Sequence, residues 1–247
     1  MLVSKGIEII MGLKIKSSDE FDKLLNALAN ELVNANIFFK LHIDLKSATT
    51  EYNREFSQSA TFWSLTFQAH LDAALFRLCR IYDTYHTSNS LSNLLDTIKE
   101  NLHIFDEANF RERLKDNPFV DSLAQYARKP DVKQLEANIE YTSENNSLVK
   151  NLIVLRNNIF AHRSAGNIIK GKNLSVAHPL TIDNISELLE KGVSILNHYS
   201  NLFRALSHST QIVGHDDYKY VLSCIKSDLI RHEEEFQAEL KKYSNED

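Results

Sequence analysis

Two side chains in one short segment can do chemistry together: Arg156 and His162, in the run Arg156-Asn-Asn-Ile-Phe-Ala-His162. A histidine exchanges its proton near neutral pH and can serve as acid or base. A guanidinium offers fixed donors that match two phosphate oxygens. The pair suits proton transfer beside a phosphate. Spacing alone does not single it out, because Arg80 and His86 stand equally far apart. The chain carries 10 His and as many Arg, and about one such pair is expected by chance. Context separates the two. His86 falls in the polar stretch Thr84–Ser90 and Arg80 is followed by Ile81, whereas Arg156 is followed by Asn157 inside a strongly apolar run.

On a wheel of about 100° per residue from Leu148, the residues Ile159, Leu152, Val149, Phe160 and Ile153 share one wide apolar face. Leu155 lies at its edge with His162 beside it, and Asn158 stands one turn before His162. Arg156 falls in the middle of the face, and an unpaired guanidinium buried there is very costly. It requires an internal carboxylate, a facing subunit or a phosphate.

Other chemistries find little support. Zinc lacks HExxH, a helical His pair or a Cys cluster, and His232-Glu233 has no second His. His215-Asp216 matches the dyad of metal-dependent helical phosphohydrolases in type only, and Asp216 reads as a helix cap. Cys79 and Cys224 are isolated and read as reduced thiols. A net charge of -5 confines any nucleic-acid contact to a local patch. The N-terminus lacks the apolar core and cleavage site of a secretion signal, and no apolar run reaches membrane-spanning length. A cytoplasmic protein is expected, with Met11 as an alternative start.

The elements that must position these residues are helices. The chain has 247 residues, 43% of them hydrophobic, with only 6 Gly and 3 Pro, which favours a sizeable helical core. Ser17 and Glu20 form the pattern of a capping box opening a helix over about 18–47. A second long helix is expected over about 53–83, with Trp63, Phe67, Leu71, Ala74, Leu75, Leu78 and Tyr82 on one face. Shorter helices follow at about 91–103, 107–115 and 118–127, the last opened by Pro118. Asp131 with Gln134 caps the next, which runs to about 162 with an interruption at Thr142–Asn146. Residues 163–180 read as a loop with room for a short strand. Thr181 caps a helix to about 208, and a last helix runs from about 216 to 242. One domain over 1–247 is expected, with 1–17 an irregular extension and 243–247 a frayed tail.

The segment VLRNNIFAHRS resembles the signature of HEPN domains: Arg, a polar residue, about four more, then His. The wider layout is similar to the AbiU-like abortive-infection branch of that superfamily. It has Phe62-Trp63 on a long helix, the pattern Leu75-Phe-Arg-Leu-Cys-Arg-Ile-Tyr-Asp83, a helix start at Ser90-Leu91, the ending Ala161-His-Arg163 and a helix after Leu180-Thr181. The resemblance covers roughly 20–230 and implies an all-α bundle of HEPN type with extra peripheral helices. It further implies a metal-independent endoribonuclease without cofactor. Such proteins are often toxins or phage-defence effectors, acting as homodimers whose two signature helices line one RNA cleft. On that basis His162 serves proton transfer, Arg156 grips the phosphate, and Asn157 orients the phosphate or His162. Asn158 and Arg163 are weaker candidates for RNA contact, and Arg163 also suits a helix-end cation. An antitoxin or other defence partner is implied too. Some HEPN toxins carry a Tyr two residues after the His that a partner nucleotidyltransferase modifies; here Ser164 stands there, which puts that neutralisation in doubt. The alternative is a non-catalytic HEPN scaffold, nucleotide-binding or dimerisation module in a defence or toxin–antitoxin complex.

Overall fold

Ser17 opens the first helix, α1 (Ser18–Ala48), by accepting the Glu20 N–H at 3.3 Å. The Glu20 carboxylate reaches back to the Lys16 N–H at 2.6 Å, one residue earlier than a reciprocal capping box requires. The computed structural model describes residues 15–126, 128–160, 169–170, 174–211 and 214–243. Among these the chain is helical and forms no strand. Most of the expected 163–180 loop, the N-terminal extension up to residue 14 and the tail from 244 lie outside the described residues.

The expected helix over 53–83 is two helices, α2 (Asn53–Ser57) and α3 (Ala60–Ile81). Tight turn bonds from the Gln58 and Ser59 N–H groups to the Glu55 and Phe56 carbonyls break it (both 3.3 Å). The break brings Phe56 against Trp63 with ring centres 4.9 Å apart, and burial of the two rings outweighs helix continuity. Next come α4 (Leu91–Glu100), a 3₁₀ turn at Leu102–Phe105, α5 (Glu107–Arg113) and α6 (Val120–Ala124). Pro118 does not start α6. The Asn117 side chain accepts the Phe119 N–H at 2.9 Å and delays the helix. Then follow α7 (Val132–Thr142), α8 (Ser147–Leu155) with a wider π turn at Arg156–Phe160, α9 (Leu174–Ala177), α10 (Ile182–Arg204) and α11 (Tyr218–Tyr243). Asp131 caps α7 as expected, accepting the Gln134 N–H at 2.8 Å. Thr181 and Asn184 bond reciprocally at the start of α10 (3.1 and 3.2 Å). Asp216 is not a cap: α11 begins two residues later, and Asp216 lies 3.8 Å from Lys219.

The residues divide into two compact units, Met1–Ala35 with Leu75–Thr210, and Asn36–Ala74 with Gln211–Asp247. In the second, Leu45, Ala48, Phe56, Trp63 and Leu222 form the core, flanked by Tyr52, Phe67, Tyr218 and Ile225. In the first, Phe21, Phe105 and Phe203 meet edge to face, and Tyr82 donates its hydroxyl to the Leu188 carbonyl at 2.7 Å. Gly192 lets α10 lie close to α1: a Cβ there would sit 2.9 Å from Leu32 Cδ2.

The end of α10 is held by two arginines. Arg113 donates to the Phe203 carbonyl through Nε and Nη2 (3.1 and 2.9 Å) and to the Ile104 carbonyl through Nη1 (2.8 Å), with its guanidinium 3.9 Å above the Phe203 ring. Arg128 donates to the Asn201 carbonyl at 2.9 Å and to the Leu123 carbonyl. Both lie where the helix dipole favours a cation, and the Asn201 carbonyl also accepts the Ala205 N–H at 2.8 Å. Burial pulls Arg113 down to about 10, so it remains charged at neutral pH.

Ala205 closes the helix with φ +54, the left-handed region that glycine occupies at no steric cost. Ala205→Gly should therefore raise stability by about 0.5–1 kcal/mol in denaturant unfolding. Arg113→Met should lower it by about 2–3 kcal/mol, because two inward-facing carbonyls lose a charged donor. Equal stability of either variant and the parent would contradict this account of the α10 terminus.

Candidate active site

Arg156 sits on the π turn that ends α8, within the first unit. Up to Leu155 the wheel holds: Val149, Leu152, Ile153 and Leu155 are buried. A π turn carries more residues than an α turn, so a wheel of about 100° per residue no longer applies beyond it. The Arg156 side chain is 26% exposed rather than sealed in the apolar face. Of the three partners the sequence left open, an internal carboxylate is present. Arg156 Nη1 lies 2.6 Å from Asp83 Oδ1. Its Nε–H donates to Asn157 Oδ1 at 3.0 Å. Asn157 is exposed next to it, and Asn158 donates its amide back to the Val154 carbonyl at 2.9 Å. His162 and Arg163 lie outside the described residues.

Asp83 is the residue the sequence reading passed over. It stands at the end of the Leu75–Asp83 pattern, but no spacing rule connects it to Arg156. The structure gives most of that pattern a task, while Phe76 is exposed. Leu78, Cys79, Ile81 and Tyr82 are buried. Arg77 and Arg80 both reach Glu31 Oε2 (3.0 and 2.8 Å). Arg80 of the coincidental Arg–His pair is therefore committed to an acid on α1, and the His86 ring rests 4.5 Å from that of Tyr85.

The loop that carries Asp83 is itself held. Asp83 Oδ1 also accepts the Tyr85 N–H at 3.1 Å. The Tyr85 carbonyl accepts from the buried Asn93 amide at 2.7 Å, and the same amide bonds the Ser88 carbonyl at 2.7 Å. Thr84 donates to Glu144 beyond α7 at 3.3 Å.

A second histidine comes to α8 from a distant position. His178 Nδ1 lies 3.2 Å from Asn151 Oδ1, and the Asn151 amide donates to the Pro179 carbonyl at 3.1 Å. With its NH₂ so engaged, Asn151 offers its oxygen to the ring, and His178 Nδ1 carries the hydrogen. The sequence held no signal for this contact, since both partners are common surface types.

Cys79 is buried near Arg156. Burial pushes its thiol up to about 12, against the smaller opposing pull of the Arg156 charge. Among the described residues no three His, Cys, Asp or Glu side chains are grouped to hold a metal ion. His215 lies 3.6 Å from Asp44 in the second unit. No described helix is long and apolar enough to cross a membrane.

The all-α fold of the described residues is that of the HEPN superfamily. Within it, the AbiU2 family model matches residues 18–222, and this chain belongs to that AbiU-like abortive-infection family. No curated protein and no solved structure matches the chain.

The two thiols should differ sharply in reactivity. Cys224 is exposed and Cys79 is buried with a raised pKa. A thiol-specific reagent at about pH 8 should modify Cys224 quickly and Cys79 only after denaturation. Equal rates for both in the native protein would show that Cys79 is accessible.

Proposed function

We propose that this protein is a metal-independent endoribonuclease of HEPN type, a toxin or phage-defence effector working in the cytoplasm as a homodimer. The single observation that carries the reading is the state of Arg156 in a chain of this family. Its guanidinium is oriented by Asp83 and Asn157, yet a quarter of the side chain faces outward. An arginine that grips a phosphate needs that exposure.

RNA supplies its own nucleophile. His162 takes the proton from a 2′-OH as its oxygen bonds to phosphorus, and the P–O5′ bond breaks. The leaving 5′-oxygen gains a proton, and a 2′,3′-cyclic phosphate remains. Arg156 stabilises the negative charge that builds on the phosphoryl oxygens. Asn157 keeps Arg156 in place and stays exposed beside it. Asn158 and Arg163 contribute secondary RNA contact. Two signature helices from two copies line the cleft, supply the second proton-transfer group and accommodate an RNA strand. An antitoxin or defence partner restrains the activity.

A second reading has one observation in its favour. Asp83 satisfies the Arg156 charge without RNA, as would suit a non-catalytic HEPN scaffold or a nucleotide-binding or dimerisation module in a defence or toxin–antitoxin complex.

Expression separates the two. The wild type should arrest growth and degrade RNA, and His162→Ala should reduce cleavage by about 10²–10⁴. Purified protein should cleave RNA equally well in EDTA. Its mass in solution should be that of a dimer. Wild-type expression with no effect on growth or RNA sinks the nuclease reading. Loss of cleavage in EDTA contradicts the metal-free route, and a strict monomer contradicts the shared cleft.

A further inference from the structure

Arg156 is held at two of the three corners of its guanidinium. Asp83 Oδ1 lies 2.6 Å from Nη1 and Asn157 Oδ1 accepts from Nε at 3.0 Å. The group is planar, so two fixed corners set the direction of the third. Among the described residues Nη2 has no hydrogen-bond partner. Asp83 is a stiff support for this purpose. The oxygen that meets Arg156 also takes the Tyr85 N–H at 3.1 Å, and the Tyr85 carbonyl is tied to Asn93, which is buried on α4.

We infer that Asp83 is the positioning residue of the site: it aims the Arg156 guanidinium so that Nη2 faces the scissile phosphate. This rests on the nuclease reading and deepens it. Asp83 touches no reacting atom, and its effect passes through Arg156. It also cancels one positive charge beside the phosphate. RNA is thereby bound less tightly in the ground state, while the aimed donor still acts as charge builds on the phosphoryl oxygens.

Two effects of opposite sign follow. In Asp83→Ala the guanidinium loses its aim, and kcat should fall by up to about a hundredfold, as for small misplacements of catalytic groups. The site meanwhile gains net positive charge, so KM for RNA should fall rather than rise. Asp83→Asn keeps an acceptor oxygen at the same place and should recover most of kcat while retaining the lower KM. A merely structural role would lower the active fraction and leave KM alone.

The test joins kinetics to a spectroscopic signature. The side-chain N–H resonances of Arg156 are followed in ¹⁵N-labelled full-length protein, with and without an uncleavable 2′-O-methyl oligoribonucleotide. Wild type and Asp83→Asn should show a sharp Arg156 Nε–H signal that shifts with the oligonucleotide, and Asp83→Ala should lose it. An unchanged signal in Asp83→Ala, or wild-type kcat in that variant, overturns the inference. So does a kcat loss in both variants that merely tracks thermal stability. If the wild type does not cleave RNA, the nuclease reading fails. The Arg156 signal then still decides whether Asp83 aims that side chain at a bound phosphate.

Discussion

A guanidinium cannot escape burial by giving up its proton, so each arginine drawn toward the core dictates what must surround it. In the first unit this constraint recurs. Arg204 meets Asp22 at 2.6 Å, Arg77 meets Glu31 at 3.0 Å, and Arg156 meets Asp83. Arg113 and Arg128 are answered by carbonyls at the end of α10 and by aromatic faces. The two solutions differ in what they do. Carbonyl acceptors with an aromatic face fix a helix end. A carboxylate partner leaves some of the donors of the fork directed elsewhere.

The stretch from Leu75 to Asp83 shows how one short segment serves both core and site. Its apolar residues other than Phe76 are buried, its two arginines reach Glu31 on α1, and its last residue leaves the helix to meet Arg156. The loop after it is stiffened by Asn93, which is buried at the start of α4 and bonds the Tyr85 and Ser88 carbonyls. The Arg156 guanidinium is thus held by Asp83, whose loop is in turn tied to α4 through Tyr85 and Asn93. Membership of the AbiU2 family places the chain among HEPN domains.

The π turn at Arg156–Phe160 bears on the same point. Wider turns inside helices collect at functional positions because they turn side chains away from the regular stripe. Here the turn begins at the arginine. Arg156 itself keeps α-helical dihedrals (φ -52, ψ -54), its side chain is 26% exposed, and Asn157 is exposed beside it.

By itself the sequence determined most of the helices and their caps and the HEPN-like segment around Arg156. Thr181, Asp131 and the interruption before Ser147 are local matters of backbone hydrogen bonding, which neighbouring residues settle. The apolar period of α8 and α3 is likewise written into the chain, and so is the demand that Arg156 find a partner. The break between α2 and α3 was not legible there, because it is driven by Phe56 packing on Trp63 and not by a helix-breaking residue. The choice of Asp83 over every other acid was not legible either, nor was the contact of His178 with Asn151. Charge requires that a buried arginine be paired, and the sequence alone conveys that requirement. Which carboxylate meets it depends on where the chain after α3 comes to the turn after α8, and only tertiary packing fixes that.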